Sequence, residues 1–94
     1  MRSRITENML QAKVNYLNKA TNNPSTPWTR NKAGKLTANI GNYHIDGAYG
    51  GFRLVQHMNE GGGINVILDG FGTKRDLFKS INAMLVGIEV RNGQ

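Results

Sequence analysis

Residues 41–74 read GNYHIDGAYGGFRLVQHMNEGGGINVILDGFGTK, and this stretch decides the fold. Apolar-patterned runs alternate with glycine clusters, and the last glycine leads into a basic helix start. That spacing predicts a small antiparallel sheet feeding a helix. Tyr43 and Ile45 alternate with His44 and Asp46, and Gly47, Gly50 and Gly51 then break the run. On the next strand Phe52, Leu54 and Met58 fall on one face, and Arg53, Val55 and His57 on the other. The triplet Gly61, Gly62, Gly63 closes a flexible turn. Ile64, Val66 and Leu68 are expected to point inward on the final strand.

Working outward, Leu36, Ala38 and Ile40 alternate with Thr37 and Asn39, as in a half-buried strand. Gly41-Asn42 then reads either as a two-residue hairpin turn or as a bulge in one long strand. Residues 1–20 hold the first helix, its periodic part over 5–20. Ile5, Met9, Ala12, Tyr16 and Ala20 form one stripe, with Leu10, Val14 and Leu17 beside it. Glu7, Asn8, Gln11, Asn15 and Asn18 take the opposite side, and Ser3 or Thr6 caps the start. Residues 21–35 are a basic connector rich in proline and asparagine, and 31–34 turn the chain into the sheet over 36–68. A second helix spans 73–88, with Leu77, Ile81, Met84, Leu85 and Ile88 in register and Phe78 alongside. Thr73 and Asp76 approximate a capping box, and Gly87 is the expected C-terminal cap.

These readings combine into one α+β domain over residues 1–94. Two layers are expected: an antiparallel sheet of three to four strands, and two helices on one of its faces, in the order α-β-β-β-β-α. The expected core is Met9, Leu10, Val14, Leu17, Ile40, Phe52, Leu54, Val66, Leu77, Ile81 and Leu85. The other sheet face is expected to be open, with Thr37, Asn39, His44, Arg53 and His57. Val55 and Ile67 on it mark a homodimer contact or a partner site, or else the strand register differs from this reading; monomer and homodimer both remain open.

Cysteine is absent, which excludes disulfides and thiolate metal sites. No apolar run suits a signal peptide or a bilayer span, so a cytoplasmic protein with no membrane partner is expected. The net charge is +6, and its distribution is lopsided. Residues 1–35 carry Arg2, Arg4, Lys13, Lys19, Arg30, Lys32 and Lys35 against Glu7 alone. Residues 36–94 balance Arg53, Lys74, Arg75, Lys79 and Arg91 with Asp46, Glu60, Asp69, Asp76 and Glu89. Such asymmetry points to a polyanionic partner, or to a solvated face that keeps a small protein soluble.

Lys13, Lys19, Arg30, Lys32 and Lys35, helped by Arg4, are the candidate basic patch. Lys13 falls between two apolar stripes, where its stem can also simply snorkel. Trp28, the only tryptophan, reads as a lid over the core edge or as a stacking ring beside those cations. Tyr49 and Phe71 are the other aromatic anchors. Residues 70–75, GFGTKR, follow a strand and open a helix, so Lys74 and Arg75, with Lys79 one turn on, can hold a phosphate or carboxylate. The triplet at 61–63 precedes a strand and so does not fit a phosphate loop. His44, His57 and Asp46 lack metal-ligand spacing, and no nucleophile–base pair or paired carboxylate is visible. A non-enzyme without metal or cofactor is expected.

The phrases PWTR at 27–30, TANIGNYHIDGAYGG at 37–51, NEGGG at 59–63 and TKRDLF at 73–78 resemble a group of small phage and prophage proteins. The resemblance implies a mobile-element origin and a bacterial cytoplasm, and transfers no site residue. Proteins of that class are often accessory factors that bind host nucleic-acid machinery, including defence inhibitors such as anti-CRISPR proteins. Direct sequence-tolerant nucleic-acid binding and phage assembly are the alternatives. The element order also resembles the double-stranded-RNA-binding domain, which sets lysines at the start of its last helix on phosphates. Lys74, Arg75 and Lys79 stand in the comparable place, but the charge excess lies elsewhere and that family's other motifs are absent.

Overall fold

The first helix, α1 (Glu7–Ala20), starts at Thr6, whose hydroxyl accepts the Met9 amide at 3.1 Å. The structure, a computed structural model, describes residues 4–48 and 51–92. Five strands follow: β1 (Trp28–Arg30), β2 (Leu36–Ala38), β3 (Tyr43–Ala48), β4 (Gly51–His57) and β5 (Ile64–Phe71). The chain then enters α2 (Lys74–Asn92). The class is α+β, as the sequence pattern predicts. The strands form two antiparallel sheets, a β1-β2 hairpin and a three-stranded sheet in the order β3-β4-β5.

Both helices pack on one face of the larger sheet. Leu10, Val14 and Leu17 of α1, Leu54 of β4, and Leu77, Ile81 and Leu85 of α2 are buried together. Tyr43, Ile45, Phe52, Phe78, Met84 and Ile88 fill in around them. The helices run in the same sense. Arg4 and Ile5 line a cleft with the start of α2, while Tyr16 reaches Glu89 near its far end at 3.1 Å.

The departures from expectation have local causes. Residues 28–30 pair with 36–38, so the connector contains a strand and the sheet region is split in two. Asn31 nucleates that hairpin: its side-chain oxygen accepts the amides of Ala33 and Lys35 at 2.9 and 3.0 Å. Gly41 makes neither a hairpin between β2 and β3 nor a bulge. It sits at φ +93 in a turn closed by Asn42 N–H to Asn39 C=O, and this turn carries the chain from one sheet to the other. Ile40, at the turn's outer corner, is 57% exposed.

Met9 of α1 is also exposed, at 39%. Asn18, placed by periodicity on the solvent side, is buried. It donates to the Tyr43 carbonyl at 3.0 Å and accepts the Tyr43 amide at 2.8 Å. Its amide thus completes the backbone pairing of β3 at one end.

Strand β5 shifts register twice against β4, and one extra residue falls at Ile67. The bulge turns Leu68 toward the helices but leaves Val66, partner of Val55, on the opposite face and 38% exposed. Ile64 shares that face, and Ile67 packs against the helix-side core instead. Gly87 does not cap α2. Ile88 extends the buried stripe beyond it, and the helix continues to Asn92.

The second sheet face is only partly open: Ile64 and Val66 are exposed there, but Val55 and His57 are buried and Ile67 packs on the helix side, so Val55 and Ile67 do not mark a dimer patch. The molecule is flat, 51 × 39 × 20 Å, with a radius of gyration of 14.2 Å. A compact chain of this length would give about 12.4 Å. The β1-β2 hairpin lies outside the main core and meets the body through Trp28 and Ala38.

Candidate nucleic-acid interface

The hairpin is an arm with a root seated on the body and a charged tip; at the root Ala38 is buried and Trp28 is 42% exposed. No acidic residue occurs between Glu7 and Asp46, so nothing on the arm offsets Arg30, Lys32 and Lys35. All three are exposed. Arg30 is exposed and donates from Nη1 to the Gly34 carbonyl at 2.6 Å, which ties the guanidinium to the turn. Gly34 has φ +80, the left-handed conformation that lets the loop close this tightly.

At the root, Trp28 pairs with Ala38, whose amide donates to the Glu60 carbonyl at 3.0 Å. The indole meets the His57 ring edge-on, centroids 4.9 Å apart. It also covers Gly62, where a Cβ would lie 2.7 Å from the indole Cη2. Trp28 therefore shares features of both sequence readings: it rests on His57 and Gly62 at the rim of the second sheet face, yet is 42% exposed. Behind His57 stands His44, ring centroids 4.6 Å apart. His44 Nδ1 lies 3.1 Å from the Asn42 side-chain oxygen, and Asn42, fully buried, donates to the Pro24 carbonyl at 2.8 Å. Burial holds the His44 imidazole below its ordinary value, neighbouring His57 adds to this, and Asp46 opposes it. Asp46 is itself engaged by Arg53, Nε to Oδ2 at 2.8 Å. Buried His57 Nδ1 has no hydrogen-bond partner among the described residues.

The expected single basic patch is two regions. Lys19, in the last turn of α1, complements the helix dipole there. Lys13 is half-buried over the Phe78 ring at 5.1 Å, a snorkelling stem that ties the two helices together. Arg4 lies with Lys74, Arg75, Thr73 and Phe52 around a cleft of about 500 Å³ at the start of α2. Thr73 caps this helix, accepting the Asp76 amide at 3.1 Å, and the Lys74 ammonium sits 5.5 Å over the Phe52 ring. Exposed Lys79 follows one turn later. The arrangement suits a single phosphate or carboxylate. It lies at the opposite end of β4 from the arm's root, about 17 Å away along the strand. Tyr49 and the Phe71 side chain fall outside the described residues.

Sequence reasoning missed the root. Asn42, His57 and Gly62 look like turn and surface residues until the hairpin folds onto them. The one available signal was the pair Asn31 and Gly34 between Thr29 and Thr37, a turn flanked by β-branched residues. Among the described residues, no three His, Cys, Asp or Glu side chains converge as a metal site, and no helix is long and apolar enough to cross a membrane. No protein-family model, curated protein or solved structure matches the chain.

Proposed function

We propose that this protein is a non-catalytic accessory factor of a phage or related element that binds nucleic acid directly and without strong sequence preference. The observation that carries this reading is the acid-free hairpin arm with exposed Arg30, Lys32 and Lys35 around its turn. Exposed cations clustered on one hairpin turn are placed to meet phosphates, and phosphate contacts position a protein without reading sequence. The sequence resemblance to small phage and prophage proteins supplies the setting, in which such a factor meets host nucleic-acid machinery. Binding to mixed-sequence nucleic acid at about 50 mM salt, where phosphate contacts are strong, tests it. Wild-type protein binds unrelated sequences alike, and reversing Arg30, Lys32 and Lys35 to Glu removes binding to all of them. Absence of binding by the wild type overturns the proposal.

A protein target is the second reading, favoured by Ile64 and Val66, exposed on β5 at one edge of the larger sheet. An open edge strand with outward apolar side chains can take up a partner strand. Capture of a host protein that survives nuclease and fails with Val66→Lys would favour this reading over the first.

A further inference from the structure

Resting on the nucleic-acid reading above, we infer that the β1-β2 arm enters the major groove of duplex DNA, which makes B-form duplex its preferred ligand over single strands and duplex RNA. Three observations converge. The arm is a two-stranded antiparallel ribbon, Trp28↔Ala38, Thr29↔Thr37 and Arg30↔Leu36. Two strands lie about 4.8 Å apart, and with side chains such a ribbon fits a B-DNA major groove about 12 Å wide. The deep, narrow major groove of A-form RNA does not admit it. From Trp28 to Arg30 the paired ribbon extends about 7 Å at strand rise, and the turn over residues 31–35 carries the arm further, comparable with the groove depth of about 8.5 Å. The tip cations therefore reach into the groove while Trp28 stays at its rim.

The aromatic residue points the same way. Single-strand binders offer open ring faces on which bases stack. Trp28 is the arm's one aromatic side chain; 42% exposed and held against His57 and Gly62 at the root, it offers one ring and not a platform for successive bases. Past it toward the tip stand threonine, arginine, lysine, asparagine and Leu36, groups that touch phosphates, base edges and methyl groups. Leu36 is half exposed beside Arg30 on one face of the ribbon, and Thr29 and Thr37 occupy the other.

The test is fluorescence anisotropy with three labelled probes of one mixed sequence: a DNA duplex of about 20 base pairs, two helical turns, the matching RNA duplex, and single-stranded DNA. The expected result is duplex DNA bound at least about tenfold more tightly than the others, with phosphate attraction common to all three. Methyl green, which fills the major groove, should compete, and a minor-groove ligand such as netropsin should not. Arg30→Glu/Lys32→Glu/Lys35→Glu should lose binding. Lys32→Gln/Lys35→Gln, which spares the Arg30–Gly34 bond, should weaken it and keep the Trp28 emission of the folded root. Single-stranded DNA or duplex RNA bound as well as duplex DNA, with the arm variants still defective, would overturn the groove inference and leave the nucleic-acid reading standing. No binding to any probe, or binding untouched by the arm variants, would overturn both.

Discussion

The body and the arm are built on opposite principles. In the body, seven apolar side chains from two helices and one strand bury one another, and the chain's periodicity exists to bring them together. The arm has no core. Its hairpin is shaped by Asn31 and Gly34, its root by one indole against one imidazole and one glycine, and its tip by charge. Body residues therefore act on stability, and tip residues on binding. Root residues are the only ones placed to act on both.

The largest effect belongs to the body. Ile81→Ala removes a fully buried side chain and leaves a cavity, so urea unfolding should show a loss of about 2–5 kcal/mol. A loss below about 1 kcal/mol, outside the range for buried truncations, would mean that the two helices do not share this core.

The root comes next, and two glycines separate its contacts from backbone strain. Gly62 has φ +96 and lies under Trp28, so Gly62→Ala meets strain and a collision together. Its expected cost is about 1–3 kcal/mol, with red-shifted Trp28 emission. Gly34 has φ +80 with open space around it, so Gly34→Ala should cost about 1 kcal/mol and leave the emission unchanged. Equal emission shifts in the two variants would show that Trp28 is not seated on Gly62.

A smaller, pH-linked effect also sits at the root. His44 is held below its ordinary value of 6.5, so the unfolded chain binds a proton more readily there than the folded one. The contribution of neutral His44 is present above pH 6.5 and is lost as pH falls through 6.5 toward the folded value. Stability measured across that window should fall with pH in the wild type and fall less steeply in His44→Gln. Identical slopes would place His44 in solvent.

The same division explains what the sequence disclosed. Leu77, Ile81 and Leu85 recur at helical spacing because burial imposed it, and the class, both helices and most of the core follow from such repeats. Val66 and Ile40 were misplaced because a bulge and a turn changed the phase without leaving a periodic mark. The root was hidden for a related reason. Asn18, Asn42 and His57 are buried by hydrogen bonds and ring contacts to distant segments, and polar residues buried that way look like surface residues in a sequence. The basic third was legible as composition, but its division between the arm and the start of α2 depends on which end of β4 each segment reaches.

Among all these changes, tip substitutions should cost the fold least, within about 0.5 kcal/mol, as exposed substitutions usually do. They also carry the central claim. The most direct test is the salt dependence of duplex DNA binding by wild type and by Arg30→Gln/Lys32→Gln/Lys35→Gln. Each phosphate contact contributes about 0.9 to the slope of log K against log salt. Removing the three tip cations should therefore flatten the slope by about 2.7. The matching variant of the other basic region, Arg4→Gln/Lys74→Gln/Arg75→Gln, should leave the slope nearly as it was. An unchanged slope in the tip variant, with flattening in the helix-start variant instead, would contradict the account and move the interface to the other end of the molecule.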